Sequence, residues 1–241
     1  MRSTHHLLLV LLTTVALAGC TGPKGDTGPM GPSGTGGSPV YAYNQNYDGA
    51  GYLLSSEWTM NAAGGSGSIS IDSTSFLSGG SSMKVTGGTT VNGVVFTNAG
   101  IVSYNSTNGA YTEDFYWNPA GIVTGTVKVE AVFVNGGTIL ADLGFAVGSP
   151  NIFYTYSGGV QHTLETVTST PYFHHVQMVY HPATTYADYY IDDVLAGQSL
   201  IVGKTTAVSG PSGAWGGFLF PASLGTTPDV FYVDNYQIYH Y

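Results

Sequence analysis

Cysteine occurs once in this chain, at Cys20, so no disulfide can form within it. Arginine also occurs once, at Arg2, and glutamate only at Glu57, Glu113, Glu130 and Glu165. Charged residues make up 8% of the sequence, with 14 acids against 5 bases. Nucleic-acid affinity comes largely from Lys and Arg neutralising phosphates. This balance therefore excludes nucleic acid as a partner and disfavours anionic lipid and polyanionic sugars. Long apolar runs are missing too. The run at residues 7–17, broken by Thr13 and Thr14, falls short of the roughly 20 residues that cross a bilayer. From Tyr41 onward no amphipathic helical pattern occurs.

What the N-terminus does contain is an export pattern. Arg2, His5 and His6 precede the apolar run, and Ala18 and Gly19 lead from it into Cys20. The run has the length of a signal-peptide core, about 7–15 residues. Leu17-Ala18-Gly19-Cys20 resembles the lipobox of bacterial lipoproteins. That resemblance implies cleavage before Cys20, acylation of its thiol and new amino group, and a membrane contact through lipid, since two or more chains anchor stably. Thr21 in place of Asp implies, by the same resemblance, sorting to the outer membrane and display at the cell surface. Residues 1–19 are thus expected as signal peptide, 20–39 as lipidated cysteine and stalk, and 40–241 as the domain. Without its first 19 residues the chain carries 4 Lys against 14 acids, a formal charge of −10.

The stalk has glycine at every third position from Gly22 to Gly34. Only glycine fits the axis of three wound polyproline-II chains, and Lys24-Gly25-Asp26 resembles the inter-chain salt-bridge step of collagens. Two readings stand: a Gly/Pro spacer, or a homotrimeric collagen-like stalk assisted by concentration on a membrane.

The body reads as all-β. Val127, Val129, Ala131 and Phe133 alternate with Lys128 and Glu130, Asn135-Gly136 signals a hairpin, and 138–147 reads as the returning strand. In 174–180, Val176, Met178 and Tyr180 fall on one face and His175, Gln177 and Val179 on the other. Further strands are expected at 68–72, 82–86, 93–97, 111–117, 151–156, 186–194, 215–220 and 230–239. Short strands separated by turn residues argue for a sandwich or barrel. The segments 172–180 and 189–195 resemble the aromatic-His-x-Val strand and Tyr-x-Asp-Gly hairpin of laminin-G-like and concanavalin A-like jelly rolls, with Asp193 in place of glycine. The closing Val233-Asp234-Asn235 and the early Ser78-Gly79-Gly80 are similar to segments of carbohydrate-binding modules. The resemblance implies a jelly-roll β-sandwich, concanavalin A-like.

Catalysis finds little support. The hydrolases of that class set paired carboxyls about 5–9.5 Å apart in a Glu-x-Asp-x-(x)-Glu strand, and none of the four glutamates fits. Glu113 and Asp114 point to opposite faces. The lyases of the class use an arginine-rich strand that this body lacks. The expectation is no enzyme. No cofactor is required, and the adjacent His174 and His175 alternate sides and cannot chelate one ion together. The resemblance does imply a structural Ca²⁺ site at Asp48, the Gly80 region and Asp234, with oxygen ligands suited to that ion.

Aromatic residues supply the alternative to chemistry. Tyr116 with Trp117, and Tyr189 with Tyr190, are sequence neighbours, so one member of each pair must leave the core. Tyr116, Trp117, Asn118, Tyr190, Asp192 and Trp215 are the candidate ligand platform for a polysaccharide or glycan. Two function classes follow: a lectin-like, adhesive glycan-binding head on a surface lipoprotein, or a structural trimeric head making protein contacts. Sedimentation of the mature protein without lipid or detergent separates the stalk readings: a trimer establishes the collagen-like assembly, a monomer the spacer.

Overall fold

Alternation of inward and outward side chains, the period that a pleated strand imposes, organises nearly every residue that the computed structural model describes. Those residues are 38–48, 54–61, 67–87, 93–97, 105, 109–122, 128–167, 172–201, 213–220 and 229–241. The expected signal peptide, Cys20 and the expected Gly-x-y stalk lie outside them. The elements are β1 (Val40–Gln45), one helical turn α1 (Leu54–Glu57), β2 (Trp58–Asn61), β3 (Ser68–Asp72), β4 (Ser82–Thr86), β5 (Gly93–Thr97), β6 (Tyr111–Gly121) and β7 (Lys128–Asn135). They continue as β8 (Thr138–Ala146), β9 (Asn151–Ser157), β10 (Val160–Val167), β11 (His174–His181), β12 (Tyr186–Ile191), β13 (Val194–Ile201), β14 (Ala214–Phe220) and β15 (Val230–His240).

They form two antiparallel sheets. Sheet A runs β13-β12-β11-β6-β15-β4-β3, with β1 also paired to β15, and sheet B runs β10-β9-β8-β7-β14-β5-β2. Three hairpins close through two-residue turns with positive φ at both positions: Gly136-Gly137, Gly158-Gly159 and Asp192-Asp193. The hairpin expected at Asn135-Gly136 is therefore centred one residue later, with Asn135 paired to Thr138. The strand expected over 186–194 is two strands broken by Asp192-Asp193. Strands β1, β2, β10 and β13 were not anticipated from the sequence; β10 is mostly exposed and polar, so it lacks a strong alternating signal.

The core lies between the sheets. Phe115, Trp117, Phe231 and Tyr236 of sheet A face Phe145, Phe153 and Phe218 of sheet B, all buried. Phe218 sits 4.9 Å from Phe231 and 5.6 Å from Phe115, and Trp117 5.9 Å from Phe153. Such pairs contribute about 0.5–1.5 kcal/mol beyond their buried area, which is how a chain without disulfides holds two sheets together. One polar unit is embedded among them. Tyr236 donates its hydroxyl hydrogen to Glu113 Oε1, and the Gly217 N–H also supports that carboxyl. Burial pushes Glu113 well above the carboxylate range despite both bonds. A Cβ at Gly216 would overlap the Tyr236 hydroxyl, so only glycine leaves room for the pair.

Two substitutions check this account by thermal melting. Gly216→Ala should destabilise by about 1–3 kcal/mol through overpacking. Tyr236→Phe should cost about 1–3 kcal/mol by leaving a buried carboxyl oxygen without its donor. Wild-type melting of both variants would refute the arrangement.

Candidate functional site

The outward residues of sheet A make a polar face lined by rings. Strand β6 contributes Thr112, Asp114 and Tyr116, because Phe115 and Trp117 take the interior. Register places His175 beside Tyr116, and Gln177 between Asp114 and Tyr190. Tyr239 of β15 reaches the same spot with a hydroxyl 3.3 Å from Asp114 Oδ2. Asp114 also accepts from Gln177 Nε2 at 2.8 Å and meets His175 Nε2 at 2.8 Å through Oδ1. Tyr116 stacks on the His175 ring, 4.5 Å between centroids and 12° from parallel. Tyr116 and Tyr190 remain half-buried, each with part of its ring open to solvent.

The β12–β13 turn folds against this cluster. Asp192 and Asp193 have φ of 50° and 67°, a left-handed conformation that costs an ordinary side chain about 1–2 kcal/mol. Their carboxylates offset the cost. Asp192 Oδ1 accepts the His175 backbone N–H at 2.9 Å, Asp192 Oδ2 meets His174 Nδ1 at 2.8 Å, and Asp193 Oδ1 meets His175 Nδ1 at 2.5 Å. Burial works to raise Asp192, but the hydrogen bonds and nearby histidines outweigh it and hold the group below the usual carboxylate value. At Tyr116, burial and then the charges of Asp193, Asp114 and Asp192 push the phenol up; at Tyr190, burial and Asp188 do the same. Negative potential therefore surrounds both rings. Sequence reasoning missed Asp114, His175, Gln177 and Tyr239 as members. Alternation had put His175 and Gln177 on one face, but the register that brings Asp114 and Tyr239 to them is not readable from a single strand.

The other expected platform residues lie elsewhere. Trp117 is fully buried in the core, because its neighbour Tyr116 took the outward position. Asn118 is buried beside Ser75, 3.4 Å from its hydroxyl. Trp215 faces away from the core, on the outer side of sheet B, yet is buried with Val132, Val134, Ile139 and Leu219. None of these three offers a surface for a sugar. The same side of sheet B buries Glu130, which accepts from the Tyr154 hydroxyl at 3.0 Å across the bare Cα of Gly144. Asp142 is also buried, and desolvation pushes it up to about 7 against the bonds from the Tyr156 N–H and Thr155 hydroxyl. Among the described residues no three His, Cys, Asp or Glu side chains are grouped to hold a metal. His181 pairs with Asp188 at 3.1 Å, and His240 packs 5.5 Å from Tyr111.

Asp48, the Gly80 loop and Asp234 do converge. Asp234 is buried and accepts from the Leu77, Ser78 and Asn235 N–H groups at 2.9, 3.2 and 2.9 Å. Asp48 is held by Asn46 Nδ2 at 2.9 Å, and its carboxylate lies where a Cβ on Gly79 would stand. Gly79 and Gly80 both have positive φ, 66° and 109°. Burial, with the charge of Asp48 adding to it, raises Asp234 above the usual carboxylate value. Two carboxylates on a glycine cradle, without a cation among their side-chain partners, form a donor set of the hard-oxygen kind.

No protein-family model and no curated protein matches this chain. Solved structures do. The chain is similar to a carbohydrate esterase from the Shiga toxin-encoding bacteriophage phi24B, at 13% identity and TM-score 0.60, over 84% of this chain and 99% of that one. It is similar to the cellulose induced protein Cip1 at 16% identity and TM-score 0.56, over 81% and 96%. A third is the endo-β-1,4-glucuronan lyase of the fungus Trichoderma reesei, at 13% identity and TM-score 0.54, over 83% and 95%. Identities this low establish the fold, and the fold is the jelly-roll β-sandwich.

The raised Asp142 has a measurable consequence. Its folded value lies above 3.8, so the folded state binds that proton more tightly, and stability is lost as pH rises from 3.8 to about 7. Asp142→Asn cannot ionise. It should raise the melting temperature at about pH 8 by roughly 1–3 kcal/mol of stability, and far less at about pH 4. An equal shift at both pH values would contradict the assignment.

Proposed function

We propose that the protein is an exported, lipid-anchored surface protein whose jelly-roll head binds neutral glycans without altering them, through the outer face of sheet A. The observation that carries this reading is the pair of half-buried rings, Tyr116 and Tyr190, set among Asp114, His175, Gln177 and Asp192. Flat rings suit the apolar faces of pyranoses, and a few fixed polar groups orient hydroxyls, the division of labour usual in binding sites. The carboxylates favour a neutral ligand. The basic groups described around the rings are histidines already bonded to Asp114, Asp188, Asp192 and Asp193, so among the described residues a uronate or sulfate would meet negative charge without an unpaired cation.

Binding rather than turnover follows from the same bonds. Asp114 accepts from three side chains, and Asp192 and Asp193 each serve a histidine. Among the described residues, Asp114, Asp188, Asp192 and Asp193 of this face are each bonded to a histidine, and none stands as the free acid or base of a pair. Two of the three structural neighbours are named for carbohydrate chemistry and one for induction by cellulose, which supports a carbohydrate ligand for this chain. Residues 20–39 would then lift the head from a lipid on Cys20. A structural Ca²⁺ belongs to this reading, held by Asp48, Asp234 and backbone oxygens of the Gly79-Gly80 loop, its charge relieving the strain of two adjacent carboxylates.

A glycan array on the full-length protein tests the proposal. Neutral oligosaccharides should bind saturably and uronate polymers should not. Tyr190→Ala should weaken binding about tenfold, close to 1.4 kcal/mol, with unchanged melting. Silence across the array overturns glycan binding, and equal uronate binding overturns the neutral class. For the ion, calcium should raise the melting temperature and EGTA should reverse it. A melt indifferent to both removes calcium from the account.

A further inference from the structure

His175 differs from the other described histidines in meeting a carboxylate at each ring nitrogen: Asp193 at Nδ1, 2.5 Å, and Asp114 at Nε2, 2.8 Å. A neutral imidazole has one N–H and one lone pair. In either neutral tautomer the lone pair would face an anion, whereas two N–H groups satisfy both partners. His175 is only 8% exposed and its ring lies flat against Tyr116, where a cation is attracted by the phenol's π face. We propose that His175 is the positioning residue of the glycan face: an imidazolium clamped between Asp114 and Asp193 that backs one side of the Tyr116 ring and pins the Asp192-Asp193 turn. This inference rests on the reading of that face as a glycan site.

The groups around the imidazole favour its charge. Strand β6 presents Asp114 and Tyr116, the β12–β13 turn presents Asp192 and Asp193, and Tyr239 of β15 joins through Asp114. On its own strand Gln177 is neutral and His174 points into the sandwich, where it meets Phe153 at 5.2 Å. Glu165 of β10 adds a negative charge near Asp192 and His174. Burial alone would lower His175, but the bonds and charges of Asp114 and Asp193 raise it above 6.5. A raised folded value makes the clamp complete below 6.5 and lost as pH rises through that folded value. On the acid side, Asp192 keeps its bonds until pH falls below 3.8.

The test combines ¹⁵N NMR of the imidazoles with glycan affinity across pH, on the full-length protein. At pH 6.5 His175 should already show two protonated nitrogens, and lose the second only as pH rises further. Affinity should hold up to pH 6.5 and fall about tenfold at higher pH as His175 loses its second proton. Asp193→Asn should move both the NMR midpoint and the affinity fall to lower pH together. A purely structural role would weaken binding equally at every pH. A neutral His175 at pH 6.5, or a titration that leaves affinity unmoved, overturns the proposal while the glycan reading stands. A doubly protonated His175 in a protein that binds no glycan overturns the glycan reading, and the positioning role with it.

Discussion

Strand β6 carries the constraint on which both halves of the molecule depend. Its residues alternate strictly, so Tyr111, Glu113, Phe115 and Trp117 go inward while Thr112, Asp114 and Tyr116 go outward. The inward set supplies the rings that lock sheet A to sheet B. The outward set supplies the centre of the polar face. A slip of one residue would exchange the two sets, placing Asp114 in the aromatic core and Trp117 in water. Glu113 is the one costly inward residue. Its proton, the Tyr236 hydroxyl and the glycine gap at 216 make that cost bearable, and they act as a further pin on the register.

Among the described residues five non-glycines adopt positive φ, and two of them, Asp192 and Asp193, form the turn beside the polar face of sheet A. The hairpins at Gly136-Gly137 and Gly158-Gly159 reach positive φ with residues that adopt it freely. The third hairpin uses two aspartates for the same geometry. Glycines there would relieve the backbone and remove the carboxylates that hold His174 and His175. Local cost at a site, compensated by side-chain bonds the site uses, is a recurrent pattern. Asp193 looked like a defect in the hairpin motif from sequence alone. In three dimensions it is the partner of a histidine.

Much of the fold was legible because it follows a period of two. The β7 and β11 segments announced their faces, and the neighbouring-aromatic argument correctly required Tyr116 and Trp117, and Tyr189 and Tyr190, to part company. Which member went outward depended on register across β6, β11 and β15, information that no single strand contains. That is why Trp117 was placed on the platform when it is buried, and why Asp114, Gln177 and Tyr239 were overlooked; Trp215, on β14, does face away from the core but is buried with Val132, Val134, Ile139 and Leu219. The convergence of Asp48, Gly79 and Asp234 was legible only through resemblance, since these residues are distant in the chain and joined by a loop with two left-handed glycines.

Strand β15 has a temporal meaning besides its structural one. It pairs with β6 on one side and with β4 and β1 on the other, so a strand made after all three sits between the first strands and the middle of the chain. Sheet A cannot close while any of its C-terminal residues is still being delivered, and its pairings span nearly the whole sequence. Such non-local topology folds slowly. Sheet A of the nascent polypeptide thus stays open until β15 has been made, which leaves its aromatic residues in need of protection.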